Sequence, residues 1–255
     1  MFLNAIVRIP SRSMVEGISS ANLGKPDYEK ALAQHESYVA ALSKAGLKLH
    51  ILPPNEKYPD SCFIEDAALC TQKCVILTRP GAASRREESS LEDLQSMLCS
   101  LFSNIEKIEA PGTLEAGDVM MVGGHFYIGL SERTNEAGAR GLIDILSHYG
   151  YSGEMVSLNE VLHLKTGLAY LERNVLLVAG EFATKPQFKQ FNRIEIKKEH
   201  SYAANCIAVN DYIIVPKGFC EVRAQIEHRG FKTLEVDVSE FRKLDGGLSC
   251  LSLRF

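Results

Sequence analysis

The stretch Val119–Gly129, VMMVGGHFYIG, sets the reading of the whole chain. Two short runs of aliphatic and aromatic residues flank the turn pair Gly123-Gly124, and the second run stops at Gly129. Side chains of this kind pack well on a pleated strand, and glycine supplies the backbone angles of a tight turn, so a β-hairpin is predicted. The design recurs at Ala67–Pro80 (AALCTQKCVILTRP), Leu168–Gly180 (LAYLERNVLLVAG) and Cys206–Gly218 (CIAVNDYIIVPKG). Helical stretches lie between the hairpins. Pro26–Ala45 places Ala31, Leu32, Tyr38, Val39 and Leu42 on an apolar face and meets Gly46 as a stop. Leu91–Leu101, Asn135–Tyr149 and Cys220–His228 follow the first, second and fourth hairpins. Each helix leads into a further short strand: Leu47–Leu52, Ile105–Ile108, Gly153–Val156 and Phe231–Val236.

The unit is thus strand, turn, strand, helix, strand, repeated at roughly 40–50 residues, a period typical of propellers and arrays. A fifth unit is split, its strands expected at Leu248–Phe255 and Phe2–Ile9. Closing such a series into a ring removes exposed sheet edges, and an α/β five-bladed propeller is the expected fold, with an ordinary α/β sandwich as the alternative. No Pro- or Ser-rich linker divides residues 1–255, so a single catalytic domain is expected.

Composition narrows the function. With 28 Lys and Arg against 32 Asp and Glu, the net charge of −4 argues against a nucleic-acid partner. No run approaches the ~18 apolar residues of a membrane span, and Met1–Arg8 lacks the pattern of a signal peptide. The seven cysteines are odd in number and form no C-x-x-C pair, which speaks against a disulfide framework and a zinc knuckle and points to the cytoplasm. The histidines show no metal-ligand spacing, so no metal is expected, and no G-x-G-x-x-G opens a helix after a strand.

Chemistry collects just before the first strand of each unit. Glu65 and Asp66 stand there, then Glu115 and Asp118, then His163, then Asn205, and Cys250 in the split unit. Taken singly, Cys250 reads as a small core residue and His163 as a structural histidine; their shared placement lifts a functional reading. A thiolate nucleophile needs a partner such as histidine. Acids around a thiol oppose its ionisation unless the substrate is a cation, and a planar guanidinium suits carboxylates best. Cys70, Cys74 and Cys206 read as structural residues of strands.

Taken together, Pro59–Asp66, Thr78–Arg86, Glu115–Asp118, Arg133-Thr134-Asn135, Leu162–Lys165, Ala203–Cys206 and Asp245–Cys250 resemble the dimethylarginine dimethylaminohydrolase family from end to end. The resemblance implies a five-bladed α/β propeller of the guanidino-modifying superfamily. It also implies hydrolysis of N-omega-methylated arginine to citrulline and a methylamine without a cofactor. By the same resemblance Cys250 is the nucleophile, His163 the general acid/base, and Glu115 the support of that histidine and of the guanidinium. Asp66 with Glu65 receives the guanidinium nitrogens, Asp60 the amino end, and Arg85 and Arg133 the α-carboxylate, with Arg86 the alternative to Arg85. Ile18 and Leu244 contribute loop contacts. The loop Ser11–Lys25 reads as a lid, and a homodimer is implied by family similarity. Arginine deiminase is the nearest rival activity, and a silent guanidino-ligand binder the rival of another class.

Overall fold

A computed structural model describes all residues 1–255. It contains five three-stranded sheets. In each, a middle strand pairs antiparallel with one neighbour and parallel with the other. Two compact units hold them: Met1–Ile64 with Gly167–Phe255, and Glu65–Thr166.

In the first unit, β1 (Asn4–Arg8) runs parallel to β2 (Lys48–Leu52) and antiparallel to β15 (Leu253–Arg254). The helix α1 (Tyr28–Lys44) connects β1 to β2. It starts where Asp27 accepts a hydrogen bond from the Lys30 amide, so the cap residue satisfies an amide that the helix cannot. Backbone bonds from Leu3 and Asn4 to the Phe255 carbonyl continue the pairing of the two chain ends. Only Leu253–Arg254 of the strand expected over Leu248–Phe255 is extended; Ser249–Leu251 forms a 3-10 turn, drawn in by the bond from the Cys250 amide to the Gly247 carbonyl.

The second unit holds two sheets. One is β3 (Ala68–Cys70), β4 (Val75–Leu77) and β5 (Ile105–Lys107), with α2 (Glu92–Leu101) before β5. The other is β6 (Val119–Val122), β7 (His125–Leu130) and β8 (Ser152–Ser157), with α3 (Glu136–His148) before β8. The stretch Val119–Gly129 is therefore a hairpin, in the register Val119 to Ile128 and Val122 to His125. Its inward side chains join Cys74, Ile76, Leu114, Leu142 and Leu146 in one buried cluster.

Back in the first unit, β9 (Leu168–Tyr170), β10 (Val175–Val178) and β11 (Asn192–Glu195) form the fourth sheet. This blade departs from the repeat, because 3-10 turns at Gly180–Ala183 and Pro186–Phe188 replace the helix. Pro186 cannot continue a helix interior, and buried Phe182 and Phe188, with ring centroids 6.0 Å apart, supply the apolar layer instead. The fifth sheet is β12 (Ile207–Val209), β13 (Tyr212–Pro216) and β14 (Lys232–Val236), with the helix Cys220–His228 before β14.

One local feature is shared by all five sheets. A helical turn precedes each entrance strand: Ile64–Ala67, Ala116–Asp118, Leu164–Gly167, Lys198–Ala204 and Ser249–Leu251. Glu65, Asp66, Glu115, Asp118, His163, Asn205 and Cys250 stand on these turns or directly beside them. A turn lifts its side chains out of the strand's alternating pattern, so they need not enter a hydrophobic layer.

The start of α3 tests the packing. A Cβ on Gly138 would lie 2.0 Å from the Thr113 carbonyl oxygen. Helix propensity favours alanine over glycine by about 1 kcal/mol, but overpacking against backbone that cannot rotate away costs about 1–3 kcal/mol. Gly138→Ala is therefore expected to lower stability, seen as an earlier urea midpoint with an unchanged slope.

Candidate active site

In the unit Glu65–Thr166, residues distant in sequence converge on one buried group. His163 Nε2 lies 2.7 Å from Glu115 Oε2. Asp66 accepts from the Gly117 amide at 3.0 Å and from Arg85 Nη1 at 2.6 Å. Asp118, fully buried, accepts from Ser131 Oγ at 2.7 Å and from the Leu164 amide at 3.0 Å. Glu65 meets Lys165 Nζ at 2.6 Å. Gly117 allows the approach, since a Cβ there would sit 2.9 Å from Asp66 Oδ1 and 3.0 Å from His163 Cγ.

Burial alone would strip the proton from His163, yet its pKa rises to about 9, because Asp66, Asp118 and Glu115 surround it. Burial pushes the Asp66 carboxyl up, and the charges of His163 and Arg85, with their hydrogen bonds, outweigh it and hold it below the usual range. Asp118 goes the other way: burial raises it, and His163, Thr134, Ser131 and Leu164 offset only part. With Nε2 facing Glu115, Nδ1 is the ring nitrogen left for proton transfer. Asp66, Glu115 and His163 each offer a ligand atom, all within 4.8 Å of one another. A cation there would compete with the His163–Glu115 hydrogen bond, so the group reads first as an acid–base cluster.

The two arginines differ. Arg85 is buried and bound by Asp66 and by Glu88, whose Oε2 accepts from Nη2 at 2.8 Å and from Nε at 3.0 Å. Arg86 turns instead to the loop backbone, donating to the Pro80 and Gly81 carbonyls. Arg133 is half-buried, and its guanidinium has no protein acceptor. An arginine left this way is ready to take a carboxylate in bidentate fashion.

The other unit carries the remaining candidates. Cys250 is half-buried on the turn Ser249–Leu251. Asn205 holds that turn: its Oδ1 accepts from the Ser249 amide at 2.9 Å, and a Cβ on Gly247 would strike its side chain at 2.4 Å. Tyr202 donates to the Gly246 carbonyl at 2.9 Å; burial and then the nearby Cys250 raise its hydroxyl pKa. Asp60, Ile18 and Leu244 meet as a second group. Asp60 accepts from the Ile18 amide at 3.0 Å, and a Cβ on Gly17 would lie 2.7 Å from Asp60 Oδ1 and 3.3 Å from Leu244 Cδ1. Cys206 is fully enclosed, and burial pushes its thiol up to about 12, which suits a structural residue.

A family model described as N,N dimethylarginine dimethylhydrolase, eukaryotic, matches residues 22–252. An N(G),N(G)-dimethylarginine dimethylaminohydrolase of Pseudomonas aeruginosa is 56% identical over 255 residues, covering 100% of both chains. The chain belongs to the dimethylarginine dimethylaminohydrolase family. A cysteine-to-serine mutant of the Pseudomonas aeruginosa enzyme complexed with citrulline is 55% identical and superposes with a TM-score of 0.98 over the full length of both chains. A dimethylarginine dimethylaminohydrolase carrying a histidine-to-glycine change, solved as its adduct with S-methyl-L-thiocitrulline, gives the same score, identity and coverage. The fold of the family member described here is accordingly a five-bladed α/β propeller of ββαβ units, as its five sheets indicate.

Within this dimethylarginine dimethylaminohydrolase fold, Glu88, Lys165, Ser131 and Thr134 are polar partners that sequence reading passed over. Glu88 had a weak signal, an opposite charge three residues from Arg85; Lys165, Ser131 and Thr134 had none, since only the fold brings them to Glu65, Asp118 and the Glu115 amide. The raised His163 pKa gives a pH signature. The folded imidazole holds its proton up to about pH 9, whereas the unfolded one releases it near 6.5. Its stabilising contribution is therefore complete below about pH 6.5 and is lost as pH rises through about 9. Thermal melts of the wild type and His163→Gln should show a stability difference that shrinks over that window. A difference independent of pH would contradict the assignment.

Proposed function

We propose that this chain hydrolyses N-omega-methylated L-arginine to L-citrulline and dimethylamine or methylamine, with Cys250 as nucleophile and His163 as general acid/base. The observation that carries this reading is the buried imidazolium of His163 among Asp66, Asp118 and Glu115, an acid–base group set in a cluster of negative charge. Such a cluster rejects anions and favours a cationic head group.

The Cys250 thiolate attacks the guanidinium carbon and forms a C–S bond. The bond from that carbon to the methylated nitrogen breaks, and His163 gives its proton to the departing amine. A planar amidino-thioether remains on Cys250. The now neutral His163 takes a proton from water as the water adds to the same carbon; the C–S bond breaks with the thiolate restored, and the released ureido group gives its remaining hydroxyl proton to solvent, where the freed amine takes it up, leaving citrulline. Splitting the displacement into two steps avoids direct hydroxide attack on a resonance-stabilised cation. Water is the only co-reactant, so the chemistry needs no cofactor.

Glu115 orients the imidazole, while Asp66 and Glu65 receive the guanidinium nitrogens. Arg133, whose guanidinium has no protein acceptor, takes the α-carboxylate with support from Arg85. Asp60 receives the amino end, Ile18 and Leu244 contribute loop contacts, and the loop Ser11–Lys25 closes over the substrate. The chain works as one catalytic domain, in the cytoplasm and as a homodimer. Seven free cysteines agree with a reducing compartment, and no helix is long and apolar enough to cross a membrane.

A citrulline assay on asymmetric dimethylarginine and on arginine tests the reaction. Turnover of the methylated substrate well ahead of arginine is expected, and the reverse order would make the chain an arginine deiminase. Cys250→Ser should remove turnover and keep the fold. His163→Gly should trap the intermediate or stop before it, with partial rescue by added imidazole; near-native rates in either variant would overturn the mechanism.

A further inference from the structure

Asp118 has no part in the steps just described, yet it is fully buried and its partners belong to two separate segments. Oδ2 accepts from the Ser131 hydroxyl at 2.7 Å and Oδ1 from the Leu164 amide at 3.0 Å. Each donor leads to a residue of the proposed site. The Ser131 Oγ accepts from the Arg133 amide at 3.0 Å and from the Thr134 amide at 3.2 Å, so it is the anchor of the loop that carries Arg133. Leu164 follows His163 directly. The Thr134 hydroxyl oxygen accepts from the Glu115 amide at 3.1 Å.

We infer that Asp118 is a positioning residue, one carboxylate that sets the Arg133 loop, the His163 backbone and the Glu115 backbone in a common register for the reaction. The inference rests on the proposed roles of Arg133 and His163. The chemistry of the group explains why an ionisable residue is kept in so dry a place. Each partner presents a hydrogen to Asp118, and only a carboxylate accepts on both oxygens. In an asparagine, the amide nitrogen would have to face either Ser131 or the Leu164 amide. Ser131 already accepts two amides and the Leu164 amide is a donor, so one group would be left without a partner in either orientation. Gly81 braces the loop from its other side, because a Cβ there would lie 2.3 Å from the Arg133 carbonyl oxygen.

A structural brace and a positioning residue differ in which substrate group feels the change. The experiment measures kcat and KM by dimethylamine release for the wild type, Arg133→Ala, Ser131→Ala and Asp118→Asn. The substrates are asymmetric dimethylarginine and its decarboxylated analogue. Arg133→Ala should raise KM about tenfold or more for the amino acid and leave the analogue unaffected. Ser131→Ala, which removes the loop anchor and changes no charge, should raise KM about threefold to tenfold with the same selectivity, with kcat within about twofold of wild type. Asp118→Asn should add a fall in kcat of about tenfold or more on both substrates.

A folded Ser131→Ala with wild-type KM, or with equal losses on both substrates, overturns the link to Arg133. Wild-type kcat in Asp118→Asn overturns the link to His163. An Arg133→Ala that does not discriminate between the substrates refutes the carboxylate role of Arg133 itself, and the kcat of Asp118→Asn then decides the remaining link. If Asp118→Asn does not fold, Ser131→Ala decides.

Discussion

Carboxylates withdrawn from water stay charged only where donors and cations replace the lost solvent. Five of them, Glu65, Asp66, Glu88, Glu115 and Asp118, are buried in the unit Glu65–Thr166. The fixed cations among them are Arg85 and Lys165, and His163 becomes a third by holding its proton. The arrangement of that unit follows from this constraint. Asp66 is reached by Arg85 and a backbone amide, Asp118 by a hydroxyl and a backbone amide, and Glu115 by an imidazolium. More buried carboxylates than cations remain in the cluster.

Glycine makes the density of charged groups feasible. Gly117 lets its amide reach Asp66, whose Oδ1 would lie 2.9 Å from a Cβ there, while the His163 ring passes closer than most Cβ atoms allow. On the other unit, Gly246 and Gly247 allow Phe63 and Asn205 to close on the turn that carries Cys250. These positions show no unusual local conformation in common; their requirement is close approach of another segment. Asp245, just before them, adopts a positive φ of 58°, a left-handed conformation that aspartate tolerates better than most residues.

The repeat makes the plan economical in residues. Five sheets of the same pairing each begin with a helical turn, and the turn is where a side chain can leave the strand's inside–outside alternation. Variation between blades falls elsewhere, as where phenylalanines replace a helix after β10. Candidate site groups and packing groups thereby fall in different parts of a blade, and a change in one need not disturb the other.

Four hairpins, four helices and the split sheet were legible in the amino-acid sequence, because period-2 and period-3.6 patterns and their turn residues are local properties. So was the group of acids, histidine and cysteine ahead of the entrance strands, since it depends only on position within a repeat. The 3-10 turns at Gly180–Ala183, Pro186–Phe188 and Ser249–Leu251 were not, because short turns leave no periodic trace. Nor could the sequence choose between Arg85 and Arg86, which are chemically identical neighbours. Tertiary structure alone turned Arg85 toward Asp66 and Glu88 and brought Ser131 to Asp118 and Thr134 to the Glu115 amide. Pattern is written residue by residue along the chain, whereas the partner of a buried charge is set by whichever distant segment the fold carries within hydrogen-bond reach.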